Sequence, residues 1–133
     1  MRPIAGRRDA GALTLSYVMI VPVFLAGLMT IVQASVWYLA RQAALGAARQ
    51  GADAARVLGA APGAGPRAAL AFARSSAPGY LLSPAASAAG STAATIVVTV
   101  RGAVPSLIPL VHISVRQSAA VPVEKFTTPA QAG

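Results

Sequence analysis

The hydrophobic pattern first marks one long uncharged stretch near the start of the chain. Residues 11–40 contain no charged side chain, and residues 17–29 are apolar throughout. As a helix with a rise of about 1.5 Å per residue, the uncharged stretch would be about 45 Å long, more than the ~30 Å hydrocarbon core of a bilayer. It therefore predicts a membrane-spanning helix of about 20 residues. Trp37 and Tyr38 follow where an interfacial aromatic belt is expected.

A secretory signal peptide is the alternative for this stretch, with cleavage before Ser35 after the small residues around Ala34. The apolar part of a signal peptide is only about 7–15 residues long, so the length of this one favours a retained helix. Pro22 lies inside the run, and a proline kink is tolerated in membrane helices.

The helical pattern continues past the uncharged stretch into a segment that we call the stalk, residues 34–58, and ends at the glycine–proline sequence "GAAPGAGP". One half of its helical wheel carries the polar residues Arg41, Gln42, Arg49, Gln50, Asp53 and Arg56. On the other half, small residues recur every four positions and predict a helix-packing face: Ala43, Ala47, Gly51 and Ala55. Alternatively, these small residues only reflect how common alanine is in this chain.

A short second helix is predicted over residues 67–76, because Pro66 suits the first turn of a helix. The period then changes to strict alternation in residues 95–101 and 111–118, which predicts two antiparallel strands joined by "GAVPSLIP". A lone hairpin is marginal in water, so this pair must pack on a helix.

The predicted fold class is α+β, with a long N-terminal helix (transmembrane plus stalk), a short second helix and a small antiparallel β-sheet. The predicted organisation is a basic leader (1–11), the transmembrane and stalk helix (12–59), a small extracytoplasmic head (60–126) and a disordered tail (127–133). Arginines on the two sides of the membrane helix balance, so the short N-terminal tail is what favours a cytoplasmic N-terminus in a single-pass protein of the cell membrane.

Charge adds a preference for anionic partners. The 133 residues include 11 Lys and Arg against 3 Asp and Glu, a net charge of +8, yet charged residues make up only 11% of the chain. That share is about half that of a soluble domain and agrees with a membrane protein. The arginines are spread singly without interleaved aromatic residues, which disfavours nucleic acid as the partner and leaves an anionic lipid surface or an acidic partner.

Residues that could carry chemistry are few. The chain has no cysteine and a single histidine, His112, and its three acids, Asp9, Asp53 and Glu124, lie in different segments. No nucleophile with its base, no phosphate-binding loop and no ligand cluster can be assembled. We therefore predict no enzymatic activity, no catalytic residue, no metal site and no cofactor.

The order of these pieces resembles the TadE-like family, minor pseudopilins of the tight-adherence (Flp) pilus system. The resemblance covers about residues 7–126 and rests on "RRDAGALTLSYVMIVPVFLAGLM", the stalk "WYLARQAALGAARQGADAAR", the strands around "TIVVTVRGAVPSLIP" and the ending "VPVEKF". It implies a structural role in pilus assembly or related secretion. The implied partners are membrane lipid, a prepilin peptidase, and other pilus-assembly membrane proteins or pilins held by helix packing.

The resemblance also implies processing after the glycine that ends the charged leader. That glycine is Gly11, which leaves Ala12 as the new N-terminus. The family's usual glutamate, fifth after the cut, is Ser16 here, whereas the aromatic residue after it is present as Tyr17. Two other functions remain open from the residues: a small secreted binding domain with a signal peptide, and a basic membrane protein of DNA uptake.

Overall fold

The computed structural model describes residues 9–57 and 59–123 and has an α+β fold, as the sequence predicted. Its elements are listed in chain order: α1 (Asp9–Arg56), α2 (Ala64–Ser76), β1 (Leu82–Ser87), β2 (Thr95–Val104) and β3 (Ile113–Pro122). Two units can be distinguished, residues 1–35 and residues 36–133. The predicted tail, residues 127–133, and most of the predicted leader lie outside the described residues.

Helix α1 is 48 residues long and continues through Pro22. Two hydroxyl groups in its apolar part donate hydrogen bonds to the preceding turn, Thr30 Oγ1 to the carbonyl of Ala26 (2.8 Å) and Ser35 Oγ to that of Ile31 (2.9 Å). These side chains are therefore satisfied within the helix itself and need no water.

Helix α2 begins earlier than predicted, at Ala64 rather than at residue 67. Gly63, the residue before it, has a left-handed φ of 76°, which glycine adopts without steric cost. Pro66 lies in the first turn as expected, where its missing N–H removes no helical hydrogen bond. The helix ends where the Ala77 N–H donates to the carbonyl of Ala73 (3.1 Å).

The sheet is antiparallel with the order β1-β2-β3. Strands β2 and β3 pair without a break from Thr95 opposite Pro122 to Val104 opposite Ile113. Both predicted strands are present. β2 runs three residues further than its alternating pattern suggested, and β3 is Ile113–Pro122 rather than residues 111–118. β1 is shorter, and its pairing with β2 shifts register between Leu82 and Ala85.

The core of residues 36–133 is built mainly from alanine and valine. The stalk contributes five buried alanines (Ala40, Ala44, Ala47, Ala48 and Ala52), and α2 and its end contribute three more (Ala69, Ala73 and Ala77). The sheet adds Val98, Val100, Val104 and Val115. Val98 and Val100 are the largest fully buried side chains, so this core depends on close approach of backbones rather than on bulky side chains.

Candidate functional site

The apolar part of α1 exposes nearly all of its side chains. Its most apolar window of 18 residues has a mean hydropathy of 2.0, and only 6% of that window is buried. Tyr17 and Phe24, for example, are about two-thirds exposed. A core helix of a soluble protein would bury such a window. Among the described residues, this is the one helix long and apolar enough to cross a membrane.

The residues of the predicted processing site lie at the start of this helix. The backbone of Gly11 and Ala12 is in the first turns of α1, and Ser16 and Tyr17 follow with exposed side chains. Glycine is about 1 kcal/mol less favourable than alanine inside a helix. Gly11 therefore lowers the cost of unwinding the turn that holds the predicted scissile bond.

The predicted packing face of the stalk is a close contact within the chain. Ala47 and Gly51 are buried, and Ala43 and Ala55 are half-buried. A methyl group placed on Gly51 would lie 2.7 Å from the carbonyl oxygen of Gly65. Real Cβ atoms do not come so near to a backbone oxygen, so only glycine fits at this position.

Gly65, at the start of α2, faces Gly51 in the same contact. A methyl group on Gly65 would lie 3.0 Å from Ala55 Cβ, 3.0 Å from the Gly51 carbonyl oxygen and 3.3 Å from Val98 Cγ2. We call this set, Gly51, Gly65 and Val98, the glycine crossing. It brings α1 and α2 together over the inner face of β2.

The glycine crossing shows what covers the small-residue face of the stalk. The spacing of Ala43, Ala47, Gly51 and Ala55 indicated a close helix–helix approach, and the helix that approaches is α2 of the same chain. Periodicity predicts that a face is buried but not what buries it. The rest of the stalk surface lies outside this contact.

The polar half of the stalk is that remaining surface. It exposes Arg41, Gln42, Arg49, Gln50 and Asp53. The Arg41 guanidinium lies 5.6 Å from the centre of the Trp37 ring, a cation–π distance. Arg56 Nε and Asp53 Oδ1 form an ion pair of 3.1 Å. Exposed pairs of this kind contribute about 0–1 kcal/mol, so this ion pair adds little to stability.

Two features of the head concern strands β2 and β3 and the connection between them. Arg101 of β2 lies directly opposite Arg116 of β3, and beside this pair the hydroxyl groups of Thr99 and Ser118 are 2.7 Å apart. The connection between the same two strands, residues 105–112, is largely apolar, and its residues 107–112 are exposed. Alternation alone could not reveal the arginine pair, because it does not say which residues of two strands face each other.

Groups of His, Asp and Glu side chains that could hold a metal ion do not occur within residues 9–57 and 59–123.

The similarity to known proteins lies in the long helix and does not include the head. No curated protein and no solved structure matches the chain significantly. The family model described as TadE-like protein matches residues 11–53. This match begins at the predicted processing glycine and includes the apolar helix and most of the stalk. The match confirms the predicted resemblance to the TadE-like family over residues 11–53, which lie within the long helix.

Proposed function

We propose that this chain is a membrane-anchored, pseudopilin-like structural or accessory protein of Flp (tad) pilus assembly or of a related secretion apparatus. The observation that carries the proposal is the coincidence of the TadE-like match, residues 11–53, with the helix that can cross a membrane. Those residues are the ones that a pilin-like protein uses to enter the bilayer and to contact other subunits.

The anchor fits a bilayer by length as well as by composition. At about 1.5 Å per residue, the helical stretch from Tyr17 to Trp37 covers about 30 Å, the thickness of the hydrocarbon core. Aromatic residues are thus spaced to lie at both interfaces. We place the N-terminus in the cytoplasm and the head outside it, with the closely spaced Arg7 and Arg8 on the cytoplasmic side.

The role is structural rather than enzymatic in this proposal. Partners would be other pilus-assembly membrane proteins or pilins, bound through the exposed half of the stalk that includes Arg41, Arg49 and Gln50. A prepilin peptidase would act on the chain at Gly11. Neither contact requires a catalytic residue or a cofactor in this protein.

The experiment is complementation in a bacterium whose Tad system includes this gene. Deletion should remove Flp pilin from the sheared surface fraction, and the wild-type gene should restore it. A variant with Arg41, Arg49 and Gln50 replaced by serine tests the exposed half of the stalk, and Gly27→Ala serves as the matched control. Gly27 lies in the same helix, and a methyl group there meets nothing within 4 Å.

The proposal requires that the triple variant is made, is found in the membrane and fails to restore pili, while Gly27→Ala restores them. Normal piliation in the deletion strain would refute a role in pilus assembly. Normal piliation with the triple variant would refute the exposed half of the stalk as the contact surface.

A further inference from the structure

The connection between β2 and β3 presents large apolar side chains to solvent. We call residues 105–112 the hairpin tip. Leu107, Ile108, Leu110 and Val111 are all exposed there, and Leu110 is 98% exposed. Exposed apolar clusters of this kind in a small domain mark sites of interaction with a membrane or with another protein.

Leu110 is held in an unusual backbone conformation. Its φ is +66°, in the left-handed region that is unfavourable for a residue with a branched side chain. Glycine or asparagine would be the ordinary choice at such a position. A leucine stands there instead, and the turn leaves its side chain exposed.

Several backbone polar groups of the hairpin tip are satisfied inside it. The Ser106 hydroxyl donates to the carbonyl oxygen of Ile108 (3.0 Å) and accepts from the Ile108 N–H (3.2 Å). The Val111 N–H donates to the same carbonyl (3.3 Å), and Pro105 and Pro109 have no N–H. A loop with internally paired polar groups loses less hydrogen bonding when it leaves water for hydrocarbon.

A pair of positive charges lies behind the hairpin tip. Arg101 and Arg116 are opposite each other, three residue pairs from the last pair of the two strands, or about 10 Å at 3.4 Å per residue. Both side chains are exposed, and like charges directly opposite are destabilising. The described part of the head, residues 60–123, contains no carboxylate side chain, so the neutralising anion must come from outside it.

We propose that the hairpin tip docks on an anionic lipid bilayer. The apolar side chains enter the boundary between headgroups and acyl chains, and Arg101 and Arg116 meet lipid phosphates. Apolar burial and attraction to anionic lipid are the two terms that hold proteins at membrane interfaces. The internally paired polar groups of the tip favour lipid over an acidic protein, which would offer hydrogen bonds that these groups do not need. This inference is independent of the role in pilus assembly.

The test uses fluorescence from single labelled cysteines, which the absence of native cysteine makes unambiguous. The full chain, with Leu110→Cys carrying an environment-sensitive fluorophore, is held in nanodiscs of phosphatidylcholine. Vesicles of phosphatidylcholine with a minority of phosphatidylglycerol are then added. In a second arm, phosphatidylglycerol is placed in the nanodisc itself. A lipid-borne nitroxide quencher accompanies the phosphatidylglycerol, so the two arms distinguish a facing bilayer from the one that holds α1.

We expect the fluorescence emission of the label at residue 110 to shift to the blue, and the nitroxide to quench it, in either arm. The control is the same label at Ala89→Cys, an exposed position at the opposite end of β2, which should remain in water. A label at residue 110 that stays in water in both arms would overturn the proposal. An equal shift in pure phosphatidylcholine would overturn the role of the arginines.

Two unlabelled double variants test whether the position of the arginines matters or only the net charge. Arg101→Ala with Arg116→Ala should weaken binding to anionic membranes roughly 30-fold, about fivefold for each arginine near the surface. Arg67→Ala with Arg74→Ala removes the same charge from exposed positions on α2 and should change binding little. An equal loss in both double variants would show that only net charge matters, and would overturn the site.

Leu110→Gly keeps the test independent of folding. Glycine accepts the left-handed φ without strain, so this variant should fold at least as well as the wild type. Its membrane binding should nevertheless fall by a factor of ten or so, the value of burying one large aliphatic side chain in lipid. Unchanged binding by Leu110→Gly would overturn insertion of the hairpin tip. Protection of residue 110 by a bound protein, without lipid quenching, would assign the surface to that protein instead.

Discussion

At the scale of single residues, the glycine crossing is the contact where one methyl group matters most. Gly51→Ala would improve helix propensity by about 1 kcal/mol, yet its Cβ would lie 2.7 Å from the Gly65 carbonyl oxygen and 2.8 Å from Ala69 Cβ. Both neighbours are buried parts of the fold, so overpacking should prevail. We expect a net loss of about 1–3 kcal/mol in the free energy of unfolding of the head, measured by thermal and proteolytic stability in detergent.

Gly46→Ala is the matched control on the same helix. A methyl group there would meet the edge of the half-buried Phe72 ring at 3.1 Å, and a side chain can shift where a backbone cannot. Its stability should equal or slightly exceed that of the wild type. If the two alanine variants unfold at the same temperature, α1 and α2 are not held at the glycine crossing.

The processing site supports a second prediction at this scale. A larger side chain at residue 11 hinders approach of a protease to the carbonyl group, so Gly11→Leu should remain uncut in cells that carry the prepilin peptidase. Ser16→Glu should be cut like the wild type. It should also raise incorporation into any filament, because a carboxylate in a low-dielectric setting gains by pairing with the amine of an incoming subunit.

The readouts are the mature N-terminus and the sheared pilus fraction. The wild type should begin at Ala12. A wild-type chain that still begins at Met1, together with a cleaved Ser16→Glu variant, would mean that serine blocks recognition by the peptidase.

At the scale of elements, the role of α1 as a membrane anchor can be tested by introducing one charged side chain. Leu25 is exposed in the apolar part of the helix, and arginine there costs about 2.5–3.5 kcal/mol at the centre of a bilayer. We expect Leu25→Arg to be extracted by alkaline wash, whereas the wild type resists both high salt and alkali. Gln50→Arg adds the same charge to an exposed position of the stalk and should behave like the wild type.

Recovery of a soluble wild-type chain that begins at Ser35 would favour the signal-peptide alternative over a retained anchor.

Elements with a clear period could be predicted from the sequence, and those that depend on distant contacts could not. β2 and β3 alternate between buried and exposed positions, and their existence followed from that pattern. β1 has no such alternation and contains Pro84, which limits it to an edge. The early start of α2 reflects the fit of Gly65 against Gly51, a contact between residues far apart in sequence.

Candidate sites that depend on contacts between distant residues could not be predicted from the sequence either. The segment around Gly11 could be found because it depends on neighbours in sequence. The facing of Arg101 and Arg116 depends on register, which is set by the pairing of whole strands. The left-handed Leu110 is not visible in sequence either, since leucine gives no indication of that conformation.

At the scale of the whole molecule, the side of the membrane on which the head lies is the main prediction. Single cysteines at Ser76 and Ser118, both exposed, should react with a membrane-impermeant thiol reagent in intact cells. The wild type, without cysteine, provides a background free of labelling. If both positions react only after lysis, while an external control protein reacts before it, the head lies in the cytoplasm.

The glycine crossing also has a consequence for the time at which the protein is synthesised. Gly51 leaves the ribosome almost fifty residues before Val98, the side chain that lies against it. At translation rates of about 5–20 residues per second, the alanine and glycine face of the stalk waits on the order of several seconds for its own sheet. During that interval only α2, which is synthesised soon after Gly51, can cover the face. Completion of β2 then adds Val98 to the contact, so the glycine crossing is finished only when the sheet is made.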